Sequence, residues 1–166
     1  MPDGGRLSGA MTTSNTEGLV TDMAGLRESE GTHIGYTDWE EMTQERVNQF
    51  ADVTDDHNFI HVDPERARQT PFGGTIAHGY LTLSLVAPVS QRLLKVTDAV
   101  MGVNYGLDRV RFPAPLPVGA QWRGGGEIAE VKEVAGGVQV KVLVTIEVKG
   151  SEKPACVAES LARIYG

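Results

Sequence analysis

The sequence contains one cysteine, Cys156, among its 166 residues. A single thiol cannot form a disulfide within the chain, so packing and hydrogen bonds must stabilise the fold. Cys156 lies in a stretch of alternating apolar residues. This position predicts a small buried side chain in a reducing compartment.

The sequence also lacks a long hydrophobic run. No segment approaches the roughly 18 consecutive apolar residues that a membrane-spanning helix needs, and the first residues do not have the charged and apolar regions of a secretory signal. We therefore expect a cytoplasmic protein without a membrane span. Residues 1–18 are rich in Gly, Ser, Thr and Asn, which predicts a disordered leader or residues added for expression.

The chain has no excess of positive charge. Fifteen Lys and Arg residues stand against 22 Asp and Glu residues, for a formal net charge of −7. No basic run of the kind that contacts nucleic acid is present, so we expect no nucleic-acid partner. A chain of this length can bury about 70% of the surface that its unfolded form exposes. We predict one domain, from residue 19 to residue 166.

Helix signals occur in the first half of the sequence. Thr43 can cap a helix that runs to about Val53, with apolar residues at helical spacing. Pro64 permits a short helical turn through Ala67. Residues 70–74 contain one proline and two glycines, which predicts a loop.

The most apolar segment runs from Gly79 to Leu94, where leucine and valine occupy nearly every face of a helix. Such a helix is normally buried, so its surface should meet other segments of the chain or a second subunit. Pro88 lies inside this segment. An interior proline removes one backbone hydrogen bond, and we therefore predict a kink or a break in the helix.

The second half of the sequence changes to a period of two. From Val138 to Val148, valine and isoleucine alternate with mostly polar residues, which predicts a half-buried strand. Further strands are predicted at residues 32–39, 104–112, 122–134 and 155–165. The last strands follow one another across short turns and should form an antiparallel meander. One buried helix and several antiparallel strands predict an α+β fold in which the sheet wraps the helix.

Side chains that can move protons are concentrated in the segment Asp56-His57-Asn58-Phe59-Ile60-His61. A regular helix would place Asp56 and His61 about 140° apart around its axis, so they can meet only if the chain breaks between them. A proline follows at position 64, which makes such a break plausible. A carboxylate and an imidazole, with ordinary pKa values of about 4 and about 6.5, could then hold a water molecule and move its protons. Asn58 could orient either partner or the water.

Gly79 opens the apolar helix. At that position the backbone N–H has no acceptor within the helix and lies at the positive end of the helix dipole. The absence of a side chain lets a carbonyl oxygen approach this amide closely. Water, a proton relay and a polarised carbonyl are what is needed to add water to a conjugated carbon–carbon double bond, or to remove it.

Structural explanations for these residues stay open at this point. Asp56 and Asn58 are also common turn residues, and Gly79 can be required by packing against a strand. His57 and His61 have the i, i+4 spacing of a helical zinc pair, with His78 nearby in the sequence. The break expected before Pro64 argues against that pair, and we expect neither a metal nor a cofactor.

A family pattern extends from about Thr43 to the C-terminus. It consists of Asp56-x-Asn58-x-Ile60-His61-x-Asp63 followed by Gly74-x-Ile76-x-His78-Gly79. The pattern resembles that of the MaoC-like, or hydratase-2, group of hotdog proteins. The resemblance implies a hotdog fold, in which a curved antiparallel sheet wraps a long central helix and two chains usually pair as a dimer.

The resemblance also implies an activity, the R-specific hydration of trans-2-enoyl thioesters and the reverse dehydration of R-3-hydroxyacyl thioesters. An acyl-CoA is the expected substrate, and an acyl-carrier thioester is the alternative. By position, Asp56 and His61 would activate water and deliver a proton to the α-carbon. The Gly79 amide would bind the thioester carbonyl, Asn58 would orient the pair, and His78 would have a supporting role.

One position departs from the usual family pattern. Many members have proline where this chain has Phe59, and the version found here is similar to the nodulation-protein-N-like branch. A bulky ring beside the pair could shorten or redirect the acyl pocket. Two alternative functions fit the same fold: an acyl-thioesterase, in which a carboxylate directs water at the thioester carbonyl, and a non-catalytic acyl-thioester-binding subunit.

Overall fold

A computed structural model describes residues 17–166. All but the last two residues of the expected leader, residues 1–18, lie outside this range. The described helices are α1 Met23–Arg27, α2 Gln44–Thr54, α3 Phe59–Val62, α4 Pro64–Ala67, α5 Gly79–Ser84 and α6 Val86–Leu93. The described strands are β1 Leu19–Thr21, β2 His33–Tyr36, β3 Glu40–Glu41, β4 Leu94–Val96, β5 Met101–Arg111, β6 Gln121–Val134, β7 Gly137–Val148 and β8 Cys156–Tyr165. None of these helices is long and apolar enough to cross a membrane.

Six strands form one antiparallel sheet in the order β2, β6, β7, β8, β5, with β3 also pairing with β6. The consecutive strands β6, β7 and β8 are antiparallel neighbours, which confirms the predicted meander. Strand β5 precedes them in the chain but pairs with β8. It therefore ends the sheet at the edge opposite β2. Strands β1 and β4 form a separate parallel pair.

Strand β7 supplies the largest share of the sheet's buried face. Its alternating residues are all buried: Val138, Val140, Val142, Val144, Ile146 and Val148. The residues between them are only partly covered, which confirms the predicted half-buried strand. Cys156, at the start of β8, is fully buried and has a free thiol. Burial raises the pKa of this thiol to about 11, so it packs as a small unreactive apolar residue.

The central helix is broken into α5 and α6 at Leu85. Pro88 has no N–H to donate to the carbonyl of Ser84, four residues earlier, and its ring crowds that carbonyl. The predicted break is thus present, and it lies about one turn before the proline that causes it.

The helix packs its apolar residues against the sheet on one side only. Leu81, Leu85, Val86, Val89 and Leu93 are buried there. On the opposite side Tyr80 is 74% exposed, and Ser84 is exposed as well. The sequence predicts that the apolar surface of this helix meets either other segments of the chain or a second subunit. On the side toward the sheet, other segments of the chain cover it.

A close approach between α6 and the sheet depends on a glycine. A Cβ atom on Gly124 of β6 would lie 2.3 Å from a methyl carbon of Val89, which is closer than non-bonded carbon atoms can approach. The missing side chain therefore sets the distance between helix and sheet.

Candidate active site

The chain breaks between the end of α2 and the start of α3, in the loop of residues 55–58. Asp55 follows α2 with φ 59 and ψ 21, in the left-handed region that aspartate tolerates better than most residues. Asn58 then starts α3, because its side-chain oxygen accepts a hydrogen bond from the N–H of Ile60, at 3.3 Å. Asp56 and His61 are thus in different elements. The expected break exists, although Asp55 and Asn58 make it and Pro64 does not.

Three side chains converge on one place as a result. The ligand-capable atoms of Asp56, His61 and His78 all lie within 4.8 Å of one another. Asp56 is exposed, whereas His61 is 8% and His78 1% exposed. Asp56 and His61 therefore lie close together, as the predicted proton relay requires. The carboxylate is at the surface and the two imidazoles lie beneath it.

The ring of His61 is held by a backbone carbonyl. Its Nδ1 lies 2.7 Å from the carbonyl oxygen of Ile76. A carbonyl can only accept, so Nδ1 carries the hydrogen and Nε2 of the neutral ring keeps its lone pair. The N–H of Ile76 donates in turn to the carbonyl of Ile60, at 3.0 Å. The segment before α5 is thereby tied to α3 on both sides of the histidine.

Burial lowers the pKa of His61 below the ordinary value of 6.5, and repulsion by His78 acts in the same direction. The hydrogen bond to Ile76 and the charge of Asp56 oppose these effects. Desolvation is the largest of the four causes. The net result favours an imidazole that is neutral at neutral pH and whose Nε2 can accept a proton.

His78 contacts both members of the pair. Its Nε2 lies 2.9 Å from the backbone carbonyl oxygen of Asp56, and its ring stacks on that of His61 with centroids 3.8 Å apart and planes inclined by 26°. Phe50 of α2 adds a tilted aromatic contact, with centroids 4.9 Å apart. Within the described residues, the buried Nδ1 of His78 has no hydrogen-bond partner.

Asn58 contacts Asp56 through its backbone. Its N–H lies 3.4 Å from a carboxylate oxygen of Asp56, a long hydrogen bond, while its side-chain oxygen caps α3. The predicted orienting role of the Asn58 amide remains a prediction, and the contact that orients the carboxylate comes from the main chain.

Gly79 begins α5, directly after His78, and it is exposed. It lines a cavity of about 300 Å³ together with Phe72, Ile76, Ala77, Thr82, Phe112 and the segment around Pro113. Ring carbons of Phe112 lie 3.5 to 3.6 Å from the position that a Cβ atom on Gly79 would take. Neither Asp56 nor His61 lines this cavity. Residues 76–79 join the two, since Ile76 binds His61 and Gly79 faces the cavity.

His57 turns away from this cluster. Its Nε2 lies 2.8 Å from a carboxylate oxygen of Asp52, in an exposed ion pair. The hydrogen bond to Asp52 raises the pKa of His57. Because α2 ends at Thr54 and α3 begins at Phe59, His57 and His61 do not share a helix. The i, i+4 zinc pair is not formed.

The cluster of Asp56, His61 and His78 does not fit a metal ion. Zinc binds imidazole nitrogens at about 2.0 to 2.1 Å along lone pairs that lie in the ring planes. Stacked rings 3.8 Å apart hold their lone pairs in nearly parallel planes, which do not meet at one ion. One nitrogen of each ring is also bonded to a backbone carbonyl.

Three contacts of the site carry no signal in the sequence. They are the carbonyl of Ile76 on His61, the carbonyl of Asp56 on His78, and the ring of Phe112 against Gly79. Every residue has a carbonyl, so its choice as a partner can be known only once the fold brings the segments together.

Comparison with known proteins agrees with this architecture. Residues 26–150 match the family described as MaoC like domain. The chain is 49% identical over 142 residues to 3-hydroxyacyl-thioester dehydratase Z of Mycobacterium tuberculosis, a match that covers 85% of this chain and 94% of that protein. It is 43% identical over 131 residues to nodulation protein N of Rhizobium leguminosarum bv. viciae, which covers 77% and 81% respectively.

A solved structure shows the same fold. The R-hydratase PhaJ1 of Pseudomonas aeruginosa superposes with a TM-score of 0.68 at 21% identity, covering 82% of this chain and 81% of that one. The predicted hotdog fold is confirmed. The chain belongs to the MaoC-like domain family, and with it to the hydratase and dehydratase class of lyases. The expected relation to the nodulation-protein-N branch is confirmed as well.

Proposed function

We propose that this protein interconverts an R-3-hydroxyacyl thioester and its trans-2-enoyl partner, with CoA as the acyl carrier. The observation that carries the proposal is the convergence of Asp56 and His61 to within 4.8 Å, across a break in the chain. The 49% identity to a protein named 3-hydroxyacyl-thioester dehydratase supports the substrate class. The family resemblance supports R-specificity and CoA.

The reaction is a proton relay coupled to the making or breaking of one carbon–oxygen bond. In hydration, the water oxygen bonds to the β-carbon while one water proton passes to the Asp56–His61 pair. The pair then delivers a proton to the α-carbon. One water molecule is added in sum and the pair returns to its starting state. The lowered pKa of His61 supports this role, since Nε2 must be unprotonated to accept.

The amide of Gly79 is proposed to bind the thioester carbonyl. Negative charge grows on this oxygen when a proton leaves or joins the α-carbon, so a fixed donor stabilises the transition state. In other enzymes, one such donor contributes about 3 kcal/mol to this stabilisation. The exposure of Gly79 at a cavity supports this assignment. No electrons are transferred to or from the substrate, so the reaction needs no redox cofactor.

A homodimer is proposed as the working form of the enzyme. Strand β5 forms an edge of the sheet, and ten of its eleven residues are exposed. Its exposed apolar side chains are Met101, Val103, Tyr105 and Leu107. A second copy could pair along this edge and cover them.

The assay for the proposed function uses crotonyl-CoA and follows the loss of enoyl absorbance. We expect turnover by the wild type, and a loss of at least about 100-fold in Asp56→Asn and in His61→Gln, because general acid–base catalysis contributes at least that much. Circular dichroism should show unchanged folding. Asp52→Asn and His57→Gln are matched controls: they make the same chemical changes in an exposed pair nearby and should keep the wild-type rate.

Two results would contradict the proposal. Absence of turnover across a panel of acyl chain lengths and carriers would reject the hydratase activity, and release of free thiol without hydration would identify a thioesterase. A near-normal rate in either Asp56→Asn or His61→Gln would reject the role given to that residue.

A further inference from the structure

We infer that His78 is a positioning residue for the reaction, holding the backbone of Asp56 with one nitrogen and the ring of His61 with its face. The inference rests on the proposed function and extends it to a residue that need not touch the substrate. Three observations support it independently.

The first observation is the hydrogen bond to the loop that carries Asp56. Nε2 of His78 donates to the carbonyl of Asp56 at 2.9 Å, across 22 residues of sequence. The backbone carbonyl and the side chain of Asn58 bond only to the first turn of α3. The remaining side-chain contacts of the loop are longer or more exposed: the 3.4 Å bond between the N–H of Asn58 and the carboxylate, and the surface pair of His57 with Asp52. Among the described residues, His78 is therefore the residue that joins Asp56 to the start of α5, through a partly buried hydrogen bond.

The second observation is the stacking on His61. The hydrogen bond from Nδ1 of His61 to Ile76 fixes one atom of the ring. A single hydrogen bond leaves the ring free to tilt about that atom. The imidazole of His78, stacked at 3.8 Å, restricts this tilt. The direction of the lone pair on Nε2 of His61, which the reaction depends on, is thereby fixed by both contacts.

The third observation is the burial of an unpaired nitrogen. His78 is 1% exposed, and its Nδ1 has no partner within residues 17–166. Nε2 must carry a hydrogen to donate to Asp56, so the neutral ring leaves only a lone pair on Nδ1. Leaving a buried polar atom unpaired costs about 1 to 3 kcal/mol. A phenylalanine in the same place would avoid this cost but would leave the carbonyl of Asp56 without its donor, so the imidazole is explained by the contact that its Nε2 makes with the loop of Asp56.

Three variants separate the two contacts of His78. His78→Gln keeps an amide N–H that can reach the Asp56 carbonyl but loses the ring. His78→Phe keeps a flat ring against His61 but loses the donor, and His78→Ala loses both. We expect kcat to fall about tenfold in His78→Gln and in His78→Phe, because each loses about one contact, the stacking in the first and the hydrogen bond in the second. In His78→Ala, which loses both contacts, kcat should fall about 100-fold. KM should change little, since the substrate is not contacted.

A readout independent of activity comes from NMR titration of the histidine rings, which number four in the chain. Asp56 and His78 are the charged or titratable groups that act on His61. In His78→Phe the repulsion between the two imidazoles is lost, so the pKa of His61 should rise relative to the wild type. This change tests the contact between the two rings, whereas a merely structural role would lower the melting temperature without the specific loss of kcat.

The inference would be overturned if all three variants kept kcat within twofold of the wild type, or if the pKa of His61 were the same in His78→Phe. Should the variants not fold, ¹⁵N spectra of the wild-type imidazoles decide the matter. They should show the hydrogen of His78 on Nε2, and a hydrogen on Nδ1 would reject the contact to Asp56. The spectra and titrations need no substrate, so failure of the proposed activity and failure of this inference are distinguishable.

Discussion

The imidazole of His61 has a more constrained chemistry than any other side chain in the cluster. Its tautomer follows from the Ile76 carbonyl, its plane from His78, and its low pKa chiefly from burial. The Ile76 carbonyl places the hydrogen on Nδ1, and burial favours the neutral ring, so Nε2 keeps its lone pair. Asp56, by contrast, is exposed, so the two members of the pair meet the substrate from environments of different polarity.

The lowered pKa of His61 leads to a prediction for the pH dependence of the rate. A base must be unprotonated to accept the water proton, so the acidic limb of kcat/KM for crotonyl-CoA hydration should be centred below 6.5, the ordinary imidazole value. Measurement of kcat/KM between about pH 5 and pH 8 tests this. An acidic limb centred above pH 6.5 would contradict it.

The same pKa affects the free energy of unfolding. The pKa of His61 is lower in the folded chain than in the unfolded chain, so the unfolded state binds more protons between the two values. The corresponding stability is present above the unfolded pKa and is lost as the pH falls through the folded one. Urea titrations of wild type and His61→Gln across this range should show a smaller acid-induced loss in the variant.

The residues of the pair could be predicted from the sequence, whereas their surroundings could not. Asp56, His61 and Gly79 are recognisable because a proton relay and an open amide require those residue types. The contacts made by Ile76 and by the carbonyl of Asp56 involve backbone atoms 15 and 22 residues away in sequence. Such contacts depend on the packing of whole segments, and no local pattern encodes them.

Among the elements, a strand with one buried face could be predicted to within a residue, whereas the exposed strand β5 and the short strand β2 were predicted with less accurate bounds. The alternation in β7 defined that strand to within one residue at its start, because every second side chain is buried. Strand β5 begins at Met101, three residues before its predicted start at residue 104. Almost all of β5 is exposed, so burial imposes no alternation on it. The three-residue strands β1 and β4 are too short to show a period.

The packing of α6 on β6 predicts the effect of a methyl group at Gly124. In Gly124→Ala the new Cβ atom would lie 2.3 to 2.9 Å from three carbon atoms of Val89. The β-branched valine has little rotamer freedom in a helix, so the helix must shift. We expect a loss of about 1 to 3 kcal/mol in the free energy of unfolding by urea.

Two further variants test this cause. Gly74→Ala is the control, because nothing lies within 4 Å of its Cβ position, and it should change the free energy of unfolding by less than about 0.5 kcal/mol. Val89→Ala combined with Gly124→Ala should lose less than the two single changes together, since the smaller side chain makes room for the methyl group. Additive losses would show that the contact is not the cause.

At the scale of the whole molecule, the α+β class was predictable but the order of the strands was not. Consecutive strands joined by short turns pair as neighbours, which is how β6, β7 and β8 are arranged. Strand β5 is followed by the proline-containing segment of residues 112–120, which carries the chain away before β6 begins. It pairs with the last strand of the chain instead. Strand β5 therefore lies at an edge of the sheet, next to the exposed side of the central helix.

The exposed edge makes oligomeric state the property of the whole molecule most open to test. A long edge strand with apolar side chains readily pairs with another chain. We expect the wild type to elute as a dimer in size-exclusion chromatography with light scattering. The double variant Val103→Glu and Leu107→Glu should elute as a monomer, because the formal charge of −7 per chain becomes more negative where two copies would meet.

The matched control for this variant is Val53→Glu on α2, which introduces the same charge at an exposed apolar residue that is not part of the sheet edge. This variant should remain a dimer. The β5 variant should also lose hydratase turnover if the second copy completes the uncovered side of the central helix. A wild type that is monomeric at all concentrations, or a β5 variant that stays dimeric, would show that this edge is not where two copies pair.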